Sequence, residues 1–413
     1  MNLEETINKL VSLGLSETEE MVRFTDEPKF SGYVSVPHEL VFSTNNNGIF
    51  GQSISANNSI AKLKSIAECI ERICLFYPRS NNFIKARFEE GKSFLKPLDF
   101  LCFSKEQLRE NYKAHCKRIM EPEYLWAEVT DHINNKFVFI PAQLVFLSND
   151  FTSEPIIREQ ISTGAALHSN LDQALISGTL ECIERDSYIL AYLRKKQLNK
   201  IDTKDNKELS GIINYFRRYG LEPNIFDITS DLGIPTVMVI TIDESGVGPA
   251  INVGLRSDFN YFDAISGALI ESIQCRRITR LMKEIEYSDR VIKEDEIKSM
   301  NERYFYWYDK ERIVDLGFWL SDSSSVNLEK VSDRDIKIEN KFDYLSKLLS
   351  SRGYKLLYSD ISYPEIKSAG FSVVKVIIPE LHPLYLDERL KCLYSHHGGN
   401  IKADVTLKPQ PFT

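Results

Sequence analysis

The string Glu-Cys-Ile-Glu-Arg stands at residues 68–72 and again at 181–185 of this 413-residue chain. On a helix, residues three apart share a face, so Glu68 pairs with Glu71 and Glu181 with Glu184. A looser third copy places Glu271 and Gln274 in the same two positions, with Arg276 just beyond. The flanking Ile, Leu, Cys and Ala residues put five carboxylates near buried faces. Buried carboxylates are costly unless they are paired or bind a metal. Taken singly, each copy reads as a surface helix with Glu–Arg pairs one turn apart, which contribute little. Taken together, the three copies read as converging helices. Carboxylates gathered with Arg and Lys suit Mg²⁺ and a polyphosphate, because hard oxygen ligands hold Mg²⁺ and guanidinium forks hold phosphate oxygens. Neither a Walker A loop nor a clean G-x-G-x-x-G is present, so a bound nucleotide needs a non-standard site.

The elements that must position these residues follow from periodicity and punctuation. Ile60, Leu63, Ala67, Ile70 and Cys74 recur at helical spacing and predict a helix over 59–77. A second helix is predicted over 170–195, opening on the cap region Ser169-Asn170-Leu171-Asp172. A third is predicted over 261–283, after the strand-like TVMVITID and AINVGL. Residues 1–30 read as helical and peripheral, 124–130 and 136–147 as strands, and YKLLYSDI and SVVKVIIP as later strands. A weaker echo links RRYGLEPNIFDITSDLGIPTVMVI with SSRGYKLLYSDISYPEIKSAGFSVVKVIIP, each reading as helix end, Gly, strand, turn, strand. The expectation is an α+β layered fold with duplicated β/α units, in which mixed or antiparallel sheets pack against helices. The expected organisation is a peripheral segment 1–45 and a domain over 46–413, in which 284–350 is a charged insertion and 405–413 a C-terminal tail.

Composition sets the outer bounds. No uncharged apolar run approaches the roughly 18 residues of a membrane span, and MNLEETINKL lacks the pattern of a signal peptide, so a cytoplasmic location is expected. A net charge of −8 gives no general support for a nucleic-acid partner. Seven cysteines without a C-x-x-C pair argue against a disulfide framework or a zinc site, and Cys69 and Cys182 read as buried packing residues. The seven histidines show no ligand spacing, and His396-His397 before Gly398-Gly399 reads as a solvated loop.

Three segments resemble the YcaO family, ATP-dependent enzymes that activate peptide backbone amides. They are KSIAECIER (64–72), STGAALHSNLDQALISGTLECIERDS (162–187), and DITSDLGIPTVMVITID with AINVGLRSDFNYFDAISGALIESIQCR, so that the likeness spans roughly 50–280. HPLYLDERL and the proline-containing C-terminus extend it. The resemblance implies ATP and Mg²⁺ as cofactors. Glu68, Glu71, Glu181, Glu184 and Glu271 would surround Mg²⁺ and the phosphates. Arg72, Arg185 and Arg276 would contact phosphates or brace the carboxylates, with Gln274 assisting. Lys64 and Ser65 would lie nearest the nucleotide, and Ser55 toward the adenosine side. Ser169 and Gln173 would lie toward the nucleotide, and there the chain departs from the family, where Asn and an acid respectively are frequent.

The implied chemistry is addition of a nucleophile to an amide carbonyl, phosphorylation of the oxyanion by ATP, and departure of phosphate with the amide oxygen. The nucleophile would be a Cys, Ser or Thr side chain for azolines, sulfide for thioamides or an amine for amidines. Azoline-forming members end in a Pro-x-Pro-x-Pro tail. This chain ends Lys408-Pro409-Gln410-Pro411-Phe412-Thr413, read as a degenerate tail acting through Pro411 or the Thr413 carboxylate. The expected partners are a ribosomally made precursor peptide and a separate E1-like, leader-binding protein, or a TfuA-like protein in the thioamide case, with a homodimer also expected. Two readings of other classes stand beside it: a non-catalytic YcaO-like peptide-binding scaffold and a generic ATP-grasp-like ligase.

Overall fold

The computed structural model describes residues 2–42, 48–79, 83–89, 92–108, 112–151, 153–286, 292–321, 324–402 and 408–412. Its strands form three main sheets. The smallest runs Ser16–Glu20, Ser31–Pro37, Gly51–Ser55, all antiparallel. A five-stranded sheet runs Ile251–Ser257, Thr236–Asp243, Leu221–Asp227, Asn199–Asp202, Ser324–Asn327, and only its last pair is parallel. A six-stranded antiparallel sheet runs Ile84–Arg87, Glu123–Asp131, Leu357–Asp360, Ser372–Ile377, Ala165–His168, with Lys136–Pro141 paired to Glu123–Asp131. The fold is thus the expected α+β layering of antiparallel and mixed sheets against helices.

The three acid-bearing helices are Asn58–Phe76, Leu171–Leu193 and Tyr261–Glu286. The first two start at asparagine caps: Asn57 accepts from the Ile60 N–H (3.2 Å) and Asn170 from the Gln173 N–H (2.9 Å). The helix Leu171–Leu193 buries residues on nearly every side, as a helix apolar all round must. It packs with Tyr261–Glu286 and the five-stranded sheet in the largest core, while Asn58–Phe76 packs in a second core with the six-stranded sheet.

The weaker echo is also structural. Helix Lys207–Arg217 and helix Lys341–Ser351 each end before a glycine, Gly220 and Gly353, at φ 73°. Each leads to an antiparallel strand pair, Leu221–Asp227 with Thr236–Asp243 and Leu357–Asp360 with Ser372–Ile377. A left-handed residue there is open to Gly at little cost, which turns the chain from helix into sheet.

Local differences from expectation have local causes. Residues 1–30 hold one helix, Leu3–Ser12, and then a strand, Ser16–Glu20, because the polar SETEE run pairs with Ser31–Pro37. The strand expected over 136–147 stops at Pro141 and continues as a single 3₁₀ turn, Ala142–Leu144, since proline has no N–H for the ladder. Within 284–350, Ser324–Asn327 joins the five-stranded sheet, and helix Met300–Tyr306 packs on Tyr261–Glu286. Among the described residues no helix is long and apolar enough to cross a membrane.

Candidate active site

Three strands end their sheets: Gly51–Ser55, Ala165–His168 and Ile251–Ser257. Each precedes one acid-bearing helix in the chain. An edge strand exposes unpaired N–H groups that need acceptors. Here the acceptors are the repeated side chains. The first acid of each helix turns back to its own unit, on the strand or at the residue just before it, sixteen or seventeen residues earlier. Glu68 Oε2 accepts from the Gln52 N–H (2.8 Å), Glu181 Oε2 from the Gly164 N–H (2.9 Å), and Glu271 Oε2 from the Leu255 N–H. The second position reaches the next unit. Glu71 accepts from Leu167 (2.6 Å), Glu184 from Ser257 (2.7 Å), and Gln274 from Ile54 (3.2 Å). Gln274 also donates through Nε2 to the Gln52 carbonyl (3.2 Å). First helix to second strand, second helix to third strand, third helix to first strand: the three strand–helix units close into a ring with threefold pseudosymmetry.

Close approach makes this ring possible. A Cβ on Gly51 would stand 2.1 Å from the Ser65 carbonyl oxygen, and one on Gly254 would stand 2.1 Å from that of Ala268. The sequence separation is the same in both units. Only glycine lets the strand lie against its helix at that distance.

Hydrogen bonding commits one oxygen of each glutamate to the backbone and orients the other. Arg185 collects three of these second oxygens: Glu184 Oε1 at 3.1 Å, Glu181 Oε1 at 3.5 Å and Glu271 Oε1 at 3.9 Å. Arg72 pairs with Glu68 at 3.2 Å. Burial raises the pKa of Glu68, Glu71 and Glu184, and neighbouring carboxylates add to it. Burial carries Glu271 to about 7, against the pull of Arg185 and with repulsion from Glu184. Lys64 stands over the same region, its pKa lowered by desolvation and by Arg256, with Glu271 opposing. Arg256, on the third edge strand between the two amides held by Glu271 and Glu184, acts electrostatically on Lys64, Glu184 and Glu271. Sequence reasoning missed Arg256. The signal was its place in AINVGLRSD, directly ahead of the third helix.

The other expected residues fall in different places. Ser55 accepts from the Asn57 N–H (3.2 Å) at the turn into the first helix. Ser65 is fully buried, and its hydroxyl is engaged by Ser35 (3.0 Å) and the Lys62 carbonyl (2.9 Å), so it does not face the acid ring. Ser169 is exposed and bonded to His168, and Gln173 is exposed in the first turn after the Asn170 cap. Arg276, expected to contact phosphates or brace the carboxylates, is fully buried in an ion pair with Asp243 (2.8 Å) and a hydrogen bond to the Pro249 carbonyl (2.9 Å). The position matching Arg72 and Arg185 in the third helix is Cys275. Pro411 is buried in a small pocket with Cys275, Thr279 and Trp307. Thr413 lies outside the described residues. Phe412, not singled out from the sequence, lays its ring over Arg185 with the guanidinium carbon 4.1 Å from the ring centroid.

Among the described residues, no three His, Cys, Asp or Glu side chains form a ready-made ion cage. Mg²⁺ does not require one, since it is held by one or two carboxylates together with phosphate oxygens and waters. The donor set fits that arrangement. Glu68, Glu181 and Glu271 keep 27–29% of their side-chain surface open, so ions and phosphate oxygens can reach them. Arg185 Nε is buried and makes no hydrogen bond with the described residues, which leaves a donor for an anionic oxygen.

Known proteins share this architecture. A family model described as YcaO cyclodehydratase, ATP- and Mg²⁺-binding, matches residues 53–382. An uncharacterised protein of Methanothermobacter thermautotrophicus is 24% identical over 275 residues, 65% of this chain and 68% of that protein. A second relative, from Rhizobium leguminosarum bv. trifolii and described as an uncharacterised protein in the tfuA 3′ region, is 27% identical over 120 residues, 28% of each chain. Among solved structures, a heterocyclase in complex with substrate and cofactor superposes with a TM-score of 0.73 at 19% identity over 94% of this chain, which spans 54% of that heterocyclase. YcaO from Methanopyrus kandleri, bound with AMPPCP and Mg²⁺, superposes with a TM-score of 0.65 at 17% identity, covering 92% of this chain and 91% of that one. The E. coli microcin synthetase McbBCD complex with pro-MccB17 bound contains a chain that superposes at 0.63 and 18% identity, with 96% of each covered. The chain belongs to the YcaO family, whose members bind ATP and Mg²⁺.

Proposed function

We propose that this protein is an ATP-dependent cyclodehydratase that forms azolines in a ribosomally made precursor peptide. The observation that carries the reading is the ring of five glutamates from three helices, three of them paired with Arg185, with Phe412 laid against that arginine. Glu68, Glu71, Glu181, Glu184 and Glu271 would surround Mg²⁺ and the phosphates, and the bound ion would neutralise the polyphosphate as a Lewis acid. Arg72 and Arg185, with Lys64 and Arg256 at the rim, meet the phosphate oxygens. Gln274 braces the first edge strand.

The chemistry balances as follows. The thiol or hydroxyl of a substrate Cys, Ser or Thr attacks the carbonyl carbon of the preceding amide and loses its proton. The carbonyl oxygen, now anionic, attacks the γ-phosphorus of ATP and releases ADP. The amide nitrogen then loses its proton and closes the C=N bond as phosphate leaves with the former amide oxygen. The peptide is lighter by one water. The protein supplies alignment and charge neutralisation, which dominate phosphoryl transfer. A separate peptide-presenting, E1-like protein is the proposed partner. The multi-protein microcin synthetase supports that view, as does the greater length of the heterocyclase that this chain only half spans.

A second reading is thioamide formation with sulfide and a TfuA-like partner, favoured by the relative encoded beside tfuA. Mass spectrometry of the precursor peptide after incubation with ATP, Mg²⁺ and the candidate partner separates the two. Loss of water supports cyclodehydration. Exchange of oxygen for sulfur in the presence of sulfide supports the second reading, and no ATP-dependent mass change refutes both.

A further inference from the structure

The C-terminal residues are held by a part of the chain whose sequence suggests only an irregular insertion. Arg303, on helix Met300–Tyr306, is fully buried. Its Nη1 donates to the Gln410 carbonyl (2.6 Å) and to Glu388 (2.9 Å), and its Nη2 donates to the Leu386 carbonyl. Lys408 pairs with Glu294 (2.7 Å), and Pro411 sits in the pocket beside Arg303, Tyr304 and Trp307. From the other side, the second acid-bearing helix grips the same residues. Tyr192 donates through its hydroxyl to the carbonyls of Lys408 (2.9 Å) and Pro409 (3.1 Å). Tyr188 donates to Gln410 Oε1 (2.8 Å), and the Phe412 N–H donates to both Gln410 Oε1 (2.7 Å) and the Tyr188 hydroxyl (3.0 Å). Tyr188 is one turn past Arg185 on that helix, and the result is the Phe412 ring against the Arg185 guanidinium.

We infer that segment 292–308 is the seat of the C-terminal tail, and that Arg303 and Phe412 are positioning residues for Arg185. Arg303 fixes Gln410, Gln410 and Tyr188 fix the Phe412 backbone, and the Phe412 ring fixes the plane of Arg185. The inference rests on the reading that Arg185 meets ATP. Its physical basis is that three carboxylates compete for this guanidinium at 3.1, 3.5 and 3.9 Å. Once a cation takes those carboxylates, the ring is the restraint that remains. A guanidinium is planar, and its fork binds phosphate well only when presented in one orientation, so a stacked ring pre-orders it before nucleotide arrives.

Two measurements test the two halves, both on the full chain. Carboxypeptidase digestion of nucleotide-free protein, read by intact mass, reports the seat. Wild type keeps Phe412. Arg303→Met is trimmed past it at least about tenfold faster, and Tyr188→Phe, a nearly isosteric change that spares the core, is trimmed faster as well. Calorimetric binding of a non-hydrolysable ATP analogue with Mg²⁺ reports Arg185. Phe412→Leu weakens binding roughly three- to thirty-fold, the range of one cation–π contact, while Phe412→Tyr restores it with the tail still protected. Wild type trimmed as fast as Arg303→Met overturns the seat. Phe412→Leu binding like wild type, or Phe412→Tyr binding no better than Phe412→Leu, overturns the positioning role. Absence of analogue binding by wild type removes the Arg185 half together with the proposed function, while the digestion result still decides the seat.

Discussion

Glu71 offers the sharpest separation of structure from chemistry. Its carboxylate accepts the Leu167 N–H at 2.6 Å, and burial holds its pKa well above the usual range. Replacement by Ala removes the acceptor and leaves a half-buried edge-strand amide unpaired, at a cost of about 1–3 kcal/mol. Replacement by Gln removes the charge yet keeps a carbonyl oxygen at the same reach. The protein already contains that experiment, since Gln274 occupies the equivalent position in the third unit and accepts the Ile54 N–H. Glu71→Gln is therefore expected to unfold in urea within about 0.5 kcal/mol of wild type, while Glu71→Ala loses about 1–3 kcal/mol. Both should lose ATP turnover in the presence of peptide and partner by about 10²–10³-fold, the scale of deleting one preorganised electrostatic group. Equilibrium urea unfolding and steady-state phosphate release measure the two effects. If Glu71→Gln is as unstable as Glu71→Ala, the hydrogen bond is not what Glu71 contributes to the fold. If Glu71→Gln turns over ATP like wild type, its charge is not part of the site.

Other outcomes follow from the same geometry. Gln274→Glu places a carboxylate where the amide now donates to the Gln52 carbonyl, so it should lose about 1–3 kcal/mol in urea unfolding. Gly254→Ala drives a methyl into the Ala268 carbonyl, so it should destabilise by at least about 1–3 kcal/mol and weaken nucleotide binding measured by calorimetry. Arg276→Met strands Asp243 and should cost about 3–5 kcal/mol, but the protein that remains folded should keep its KM for ATP, because the Arg276 guanidinium is spent on a buried ion pair with Asp243. His397 is half-buried beside Asp186, which accepts from it at 2.9 Å; desolvation lowers the histidine pKa, but Asp186 prevails and the net shift is upward. A pKa raised on folding gives stability that is full below the unfolded value of about 6.5 and fades as pH rises through the folded value. Thermal melting should therefore decline across that window in wild type and decline less in His397→Gln.

The sequence made the helices legible because Ile60, Ile70 and Cys74, and the Asn57 and Asn170 caps, are written in side chains. It did not make the ring legible, because the partners of the glutamates are the backbone amides of Gln52, Leu167 and Ser257, and an amide has no letter. Arg276 pairs with Asp243 rather than with the repeated glutamates for a reason visible in helix geometry. Arg72 and Arg185 lie four residues past the first acid and return to its face, whereas Arg276 lies five past Glu271, about 140° around the helix. Gln410 and Arg303 could not be joined from the sequence, since their meeting depends on how the chain returns from the six-stranded sheet.

The cyclic closure has a mechanical consequence. Each helix props up its neighbour's sheet, as stones lean in an arch, so no single sheet can swing outward without breaking the bond to Glu71, Glu184 or Gln274. The amides of Leu167, Ser257 and Ile54 sit on outer strands, where exchange with solvent is ordinarily fast. Here they should exchange slowly and as one cooperative set, and loading the centre with Mg²⁺ and nucleotide should slow all three together.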